Sequence, residues 1–224
     1  MAEKKEKKTA SQKLNSFLDK NRKGLLGFFA IVIVALIGYV VFVSVNSNVT
    51  KKNISQIEAI SYELTNKSST LEEAELNKRI ETAKEQLAAF ANKSGIAGVR
   101  ANMLLAEIAY SQKDYEKAID AWTNVVSKGK KSYTAPIAKY QLGVCYEQTK
   151  DFAKAAECYK DASEAKDFPL ASHALFSYAR VLETQSNFTQ AIEAYSKVVQ
   201  DYASDEWANL SKTRLLDLEI QGKK

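Results

Sequence analysis

Glycine and proline are scarce in this sequence, which contains 8 glycines and 2 prolines among 224 residues. Both residue types interrupt helices, whereas the abundant residues, which include Ala, Lys, Glu, Leu and Gln, favour them. The composition therefore predicts an all-α protein before any pattern is considered. The length suits one globular domain with additional segments.

Histidine and cysteine are also rare, and this limits the chemistry that the chain can support. The only histidine is His173, and the two cysteines, Cys145 and Cys158, do not have the spacing of a zinc site. A glycine-rich phosphate loop and a Ser or Cys at catalytic spacing from histidine are missing as well. We therefore predict no enzyme, no cofactor and no metal. Buried thiols are the favoured interpretation of the cysteines, with a disulfide as the alternative.

The excess of positive charge is confined to the start of the chain. The formal net charge is +5, and residues 1–23 contain eight Lys and Arg against three acidic residues. Residues 24–50 carry no charge, and residues 51–224 contain 24 charged residues of each sign. A nucleic-acid-binding protein needs a basic face on its folded part, so we predict no nucleic-acid partner.

Residues 24–46 contain an uncharged run that is long enough to cross a membrane. The 21 residues from 25 to 45 would span about 31 Å as a helix, which matches the bilayer core. A buried core helix is rarely apolar on every face. The apolar part of a cleaved signal peptide is shorter, about 7–15 residues, and ends in a small-x-small site that is missing here. We therefore predict an uncleaved transmembrane anchor.

The charges beside this anchor predict its orientation. Eight basic residues precede it, whereas only Lys51 and Lys52 follow within a comparable distance. Because basic flanks stay in the cytoplasm, residues 1–23 are expected to form a cytoplasmic tail. In a bacterium, the chain would then be a single-pass protein of the inner membrane with its C-terminal part in the periplasm.

Three later segments of the chain align with one another. Each begins with a polar capping residue and an aromatic residue, followed by an alanine, an aromatic residue four positions later and a small or branched residue three beyond that. The alanines are Ala118, Ala155 and Ala191, which lie 37 and 36 residues apart. The pattern predicts an amphipathic helix in each segment. The segments begin at residues 114–119 (DYEKAI), 151–156 (DFAKAA) and 187–192 (NFTQAI).

Each of these helices is preceded by a partner helix with a small residue where two helices would cross closely. The small residues are Ala106, Gly143 and Ala179. The chain therefore predicts three helix pairs. The partner helices contain residues 103–110 (MLLAEIAY), 140–146 (YQLGVCY) and 176–182 (FSYARVL).

These pairs resemble tetratricopeptide repeats (TPRs), and the middle pair, with Leu142, Gly143, Ala155 and Tyr159, is the best match. The spacing of 36–37 residues exceeds the family's repeat of about 34, and the proline between repeats is mostly missing, with Pro169 nearest. The resemblance implies an α-α superhelical solenoid of about three TPR units over residues 97–203, closed by a capping helix over residues 204–224. Before it, helices at 54–64 and 71–91, separated at 65–70, make residues 47–96 either connecting helices or a degenerate leading repeat.

The resemblance also implies that the first helix of each pair lines a concave groove for a protein or peptide. Met103, Tyr140 and Phe176 would form an apolar stripe there, although they could equally be packing residues. The basic clamp by which some family members bind acidic chaperone termini is missing, so a neutral or amphipathic segment is the expected ligand. The predicted groove residues are Arg100, Met103, Glu107, Tyr110, Tyr140, Gln141, Val144, Glu147, His173, Phe176, Ser177 and Arg180.

An anchor followed by an exported repeat array is similar in layout to the ancillary, repeat-bearing subunit of the bacterial Sec translocon. This similarity implies a scaffold that binds proteins in secretion, chaperone handover or envelope assembly. Two alternatives stay open. The array could self-associate as a structural component of an envelope complex, forming a homo-oligomer, or the protein could be an organelle-membrane receptor whose repeats face the cytosol.

Overall fold

The structure is a computed structural model that describes residues 9–130 and 132–223. The first eight residues of the predicted basic tail therefore lie outside the described part. Every regular element within that part is helical, which confirms the all-α prediction. The α-helices are α1 (Ala10–Thr65), α2 (Glu73–Ala91), α3 (Gly95–Ser111), α4 (Tyr115–Lys128), α5 (Thr134–Gln148), α6 (Phe152–Ser163), α7 (Ala171–Thr184), α8 (Phe188–Asp201) and α9 (Glu206–Ile220), with a 3₁₀ helix at Ser68–Thr70.

The chain divides into two units, the first ending at Lys51 and the second covering Lys52–Lys224. The first unit contains the apolar segment of α1, whose large side chains are exposed, for example Ile31 at 71% and Phe42 at 68%. Among the described helices, α1 alone is long and apolar enough to cross a membrane. The exposure excludes a buried core helix, whereas a signal sequence near the N-terminus would also be long and apolar enough to meet this criterion.

In the second unit, α3–α4, α5–α6 and α7–α8 form three successive helix pairs, and α9 packs on α8. This arrangement confirms the predicted solenoid of three repeats with a capping helix. The second helix of each pair begins at the predicted residue. Asp114 and Asp151 accept hydrogen bonds from the backbone N–H of Lys117 at 3.3 Å and of Lys154 at 3.2 Å.

The third pair begins differently at the level of the side chain. Asn187 occupies the N-cap position of α8, but it makes no side-chain capping bond. Its amide Nδ2 instead donates to Oε1 of Gln190 at 2.8 Å. The backbone turn is nevertheless the same in all three repeats, because the residue before each cap has a left-handed φ and the cap's N–H bonds to the preceding helix. The turn geometry, and not the capping side chain, is thus what the repeats share.

The predicted close crossing is tightest in the middle repeat. A Cβ atom on Gly143 would lie 2.7 Å from the ring of Tyr159. The corresponding residues in the flanking repeats, Ala106 and Ala179, are fully buried. The small residues therefore allow α3, α5 and α7 to approach the aromatic residues of their partner helices, which are Trp122, Tyr159 and Tyr195.

The region before the repeats differs from the prediction in one respect. The helix expected at residues 54–64 is the end of α1 and is continuous with the apolar segment. The predicted break lies at residues 66–72, where Lys67 has a φ of 53°. Ile57 and Ile60 are buried with Leu87 of α2 and with α3, so this end of α1 shares a core with the first repeat.

Both cysteines are free thiols, in agreement with the favoured interpretation. Cys145 is fully buried in the core of the first two repeats, and Cys158 is half-buried beside it. Burial raises the pKa of each thiol to about 11. Because the thiolate is the reactive form, both residues are poor nucleophiles near neutral pH.

Candidate partner-binding groove

Two of the three residues of the predicted apolar stripe, Tyr140 and Phe176, pack against the second helix of their own repeat. Tyr140 and Phe176 are each only 9% exposed. The ring of Tyr140 lies 5.4 Å from that of Tyr159, and the ring of Phe176 lies 5.5 Å from that of Tyr195, measured between centroids. Ser177, a third predicted groove residue, is buried as well. The packing role that the sequence left open is therefore realised for Tyr140 and Phe176, and a ligand would reach little of these two residues or of Ser177.

His173 is part of an aromatic cluster and not an isolated base. Its ring stacks on that of Trp207 with centroids 3.7 Å apart and planes 7° from parallel. The hydroxyl of Tyr140 lies 3.1 Å from a ring nitrogen of His173. Burial, together with the nearby Arg180, lowers the pKa of His173. The imidazole is therefore held neutral near pH 7 as a bridge between α5, α7 and α9.

Two further predicted groove residues, Glu147 and Arg180, neutralise each other. The guanidinium of Arg180 donates two hydrogen bonds of 2.7 Å, one to each carboxylate oxygen of Glu147. The hydroxyl of Tyr159 donates a third bond to Glu147 at 2.6 Å. Burial and this carboxylate raise the pKa of Tyr159, so the hydroxyl stays a donor. The three side chains connect α5, α6 and α7, and they fix the second repeat to the third.

The same arrangement recurs one repeat later. Glu183 accepts hydrogen bonds from Tyr195 at 3.0 Å and from the guanidinium of Arg214 on the capping helix. We call these two sets the Glu–Tyr–Arg triads. At the equivalent places the chain has Tyr110, Trp122 and Val144, so the triad is not repeated there, and the junction between the first two repeats is an apolar cluster that includes Trp122, Leu142 and Cys145. None of the three triad residues is kept at these places, which is expected if the Glu, Tyr and Arg serve one structural role together.

Replacing Arg180 by Met should lower the free energy of unfolding by about 1–2 kcal/mol, because Glu147 would be left half-buried with one hydrogen bond. The estimate is modest because 44% of the Arg180 side chain is exposed. The double variant Glu147→Gln with Arg180→Met should recover most of the loss. Chemical denaturation measures all three. Lys154→Met, which breaks an exposed pair with Asp151, should cost less than about 0.5 kcal/mol. An equal loss of unfolding free energy in Arg180→Met and Lys154→Met would contradict the structural role of the triad.

The accessible part of the predicted groove is its first-repeat end. Glu107 is exposed, and Met103, Tyr110, Gln141 and Val144 are half-exposed. Arg100 is also at this end, where it makes hydrogen bonds of 2.7 and 3.3 Å to Glu58 of α1.

A cavity of about 540 Å³ opens beside Glu107. It lies between the end of α1, the 3₁₀ helix, α2 and α3. The sequence did not indicate this cavity, because its walls come from four separate segments. No cluster of metal-ligating side chains occurs among the residues that the structure describes.

An array of helix pairs with a lateral groove is the architecture of a protein-interaction scaffold, a class that is typically non-catalytic. A family model described as a tetratricopeptide repeat-like domain matches residues 15–220, and the chain belongs to this family. The match includes the whole apolar segment as well as the repeats. The resemblance found in the sequence is thereby confirmed.

Individual relatives agree with this assignment. The chain is 28% identical over 130 residues to a TPR repeat-containing protein of Treponema pallidum (strain Nichols), an alignment that covers 58% of this chain and 54% of the relative. The chain thus spans about half the length of this relative. Among solved structures, it is similar to nearly identical TPR-like repeats of a Podosopora anserina protein described as a kinesin light chain, with 16% identity, a TM-score of 0.56 and coverage of 76% and 87%. The apo form of RapI is similar with 18% identity, a TM-score of 0.51 and coverage of 76% and 73%. These likenesses show the fold.

Proposed function

We propose that this protein is a membrane-anchored scaffold that binds a protein or peptide segment at the accessible, first-repeat end of the groove. The observation that carries the proposal is the combination, in one chain, of a fully exposed apolar helical segment and a TPR array. Exposed apolar surface of this extent is stable only in a membrane or against a partner. That the family model covers both parts supports a joint role for them.

We further propose that the anchor lies in a bacterial inner membrane with the repeats in the periplasm. The support is the asymmetry of the flanking charges, with eight basic residues before the anchor and two shortly after it. A relative in a bacterium is consistent with this location. A scaffold in this place would act in secretion, chaperone handover or envelope assembly.

Cysteine labelling tests the location and the orientation. Thr123 is exposed on α4 and Ser11 is exposed in the tail, so Thr123→Cys and Ser11→Cys form a matched pair. A membrane-impermeant maleimide should label the first variant in cells with a permeabilised outer membrane, and the second only after lysis. The native cysteines give little background because burial raises the pKa of both. The reverse pattern would contradict the orientation, and labelling of both before lysis would contradict the anchor.

Site-specific photocrosslinking in native membranes tests the binding function. Met103 and Gln141 are accessible at the groove end, whereas Thr123 and Glu157 are exposed on the second helices. Photoreactive residues at the first two positions should capture one common set of proteins that the last two positions do not capture. Capture of lipid alone at all four positions would refute the binding proposal. Capture of a second copy alone would favour the self-associating structural role, which sedimentation of the full chain in detergent would then confirm.

A further inference from the structure

The cavity beside Glu107 combines apolar walls with a single charged group. Its lining contains five apolar side chains, five hydroxyl side chains and one carboxylate, that of Glu107. The apolar part includes Leu76, Leu104 and Ile108, which come from α2 and α3. Its volume of about 540 Å³ falls in the range of about 300–1,000 Å³ that is common for ligand pockets, which are mostly apolar with a few placed polar groups.

Glu107 differs from the other glutamates of the groove helices. Helices α3, α5 and α7 contain one glutamate each, and those of α5 and α7, Glu147 and Glu183, belong to the two triads. Within residues 9–130 and 132–223, no basic side chain makes an ion pair with Glu107. The nearest guanidinium, that of Arg100, is engaged by Glu58. Glu107 is exposed at the mouth of the cavity, but the protein around it still removes part of its hydration, and this desolvation raises its pKa more than the nearby Arg100 lowers it.

Two of the five hydroxyl groups in the lining also act as acceptors. The hydroxyl of Thr65 donates to the carbonyl of Ser61 at 2.9 Å, and that of Ser111 donates to the carbonyl of Ile108 at 2.7 Å. With their protons engaged, these two oxygens can only accept a further hydrogen bond. The site therefore offers acceptors and a negative charge inside an apolar wall, which complements an ammonium or guanidinium group attached to an apolar segment.

We propose that this cavity is the recognition site of the scaffold, and that it takes an apolar segment of a partner protein in which a lysine or arginine contacts Glu107. The apolar neighbours of that residue lie against Leu76, Leu104 and Ile108. This inference rests on the proposed function and specifies its ligand. A lipid with a cationic headgroup fits less well, because it would bring a phosphate to a lining without a basic side chain.

Selection from a random octapeptide display library on the full chain in lipid nanodiscs tests the proposal. Wild type should enrich peptides with a lysine or arginine between apolar residues. Binding of the enriched peptides should fall about tenfold or more in Glu107→Gln, which keeps the size of the side chain. In Glu107→Lys the selection should shift to acidic peptides. The matched control is Glu157→Lys, an equal charge reversal at an exposed site outside the cavity, which should leave the selection unchanged.

The outcomes separate this inference from the proposed function. If wild type enriches peptides that compete with capture at Met103 but show no basic preference, the recognition site is refuted and the scaffold function stands. An identical selection by Glu107→Lys refutes it equally. If no peptide is enriched over the library, both the recognition site and peptide binding at this groove end are refuted. If an added cationic lipid protects the cavity and no peptide does, the ligand is a lipid and the proposed peptide ligand is refuted.

Discussion

Replacing Gly98 by Ala should lower the midpoint of thermal unfolding by about 6–12 °C, which corresponds to about 3 kcal/mol or more. A Cβ atom at this position would lie 1.8 Å from the carbonyl oxygen of Lys93 and 2.9 Å from its carbonyl carbon. Because the obstacle is backbone, a side-chain rotation cannot relieve the clash. Circular dichroism of the full chain in detergent measures the midpoint.

The clash is costly because the segment around Lys93 is held in place. The buried amide of Asn102 donates to the carbonyl oxygens of Ala91 at 2.8 Å and of Gly98 at 2.7 Å. Moving the turn away from α3 would break at least the first of these bonds and leave a buried donor without a partner. Gly27→Ala is the control, since no atom lies within 4 Å of the added Cβ. An unchanged unfolding midpoint for Gly98→Ala would show that the turn around Lys93 can move without cost and would contradict this prediction.

Replacing Trp207 by Ala should lower the free energy of unfolding by about 2–3 kcal/mol, somewhat less than for a fully buried tryptophan. The indole stacks on His173 at 3.7 Å and contacts Phe176 at 5.1 Å between ring centroids. Its loss would remove the aromatic contact between α9 and α7, while Leu218 of α9 stays in the core of the third repeat. Hydrogen exchange should therefore accelerate in α7 and α9 while the amides of α3 stay protected.

Two variants make this prediction specific. Leu216 lies on the same helix and is 56% exposed, so Leu216→Ala should cost less than about 0.5 kcal/mol. Trp207→Phe should restore part of the stability, because a smaller ring can still stack on His173. Equal exchange of α9 in wild type and Trp207→Ala would contradict the capping role of this helix.

The helical pairs could be predicted from the sequence because their signals are local. The caps at Asp114 and Asp151 and the spacing of the apolar residues place the start of α4 and α6 at the observed residues. The continuity of α1 could not be predicted in the same way. The sequence becomes polar after residue 46, but it contains no glycine or proline between residues 39 and 65, so nothing interrupts the helix.

The groove was harder to predict, because the role of each groove residue depends on contacts with a neighbouring repeat that is distant in the sequence. The family resemblance implied that Glu147, Arg180 and Tyr140 share the groove face; in the structure Glu147 and Arg180 form an ion pair, and Tyr140 packs on Tyr159. The resemblance could not show that Arg180 contacts Glu147, since that contact depends on how the third repeat packs on the second. A signal was nevertheless present, because Glu147 and Glu183 are 36 residues apart and so are Tyr159 and Tyr195. Repeated polar residues at repeat spacing indicate a shared pairing.

The uneven distribution of the Glu–Tyr–Arg triads gives the array two kinds of junction. A bidentate guanidinium–carboxylate contact is directional, so it permits little rotation between the elements that it joins. An apolar contact such as that of Trp122 with Leu142 and Cys145 has no preferred direction and tolerates sliding. The third repeat and its capping helix should thus move together as one rigid body, and the more flexible junction should be the one between the first two repeats. Glu107 lies on α3 of the first repeat, so a segment bound there would be expected to change the angle between the first two repeats.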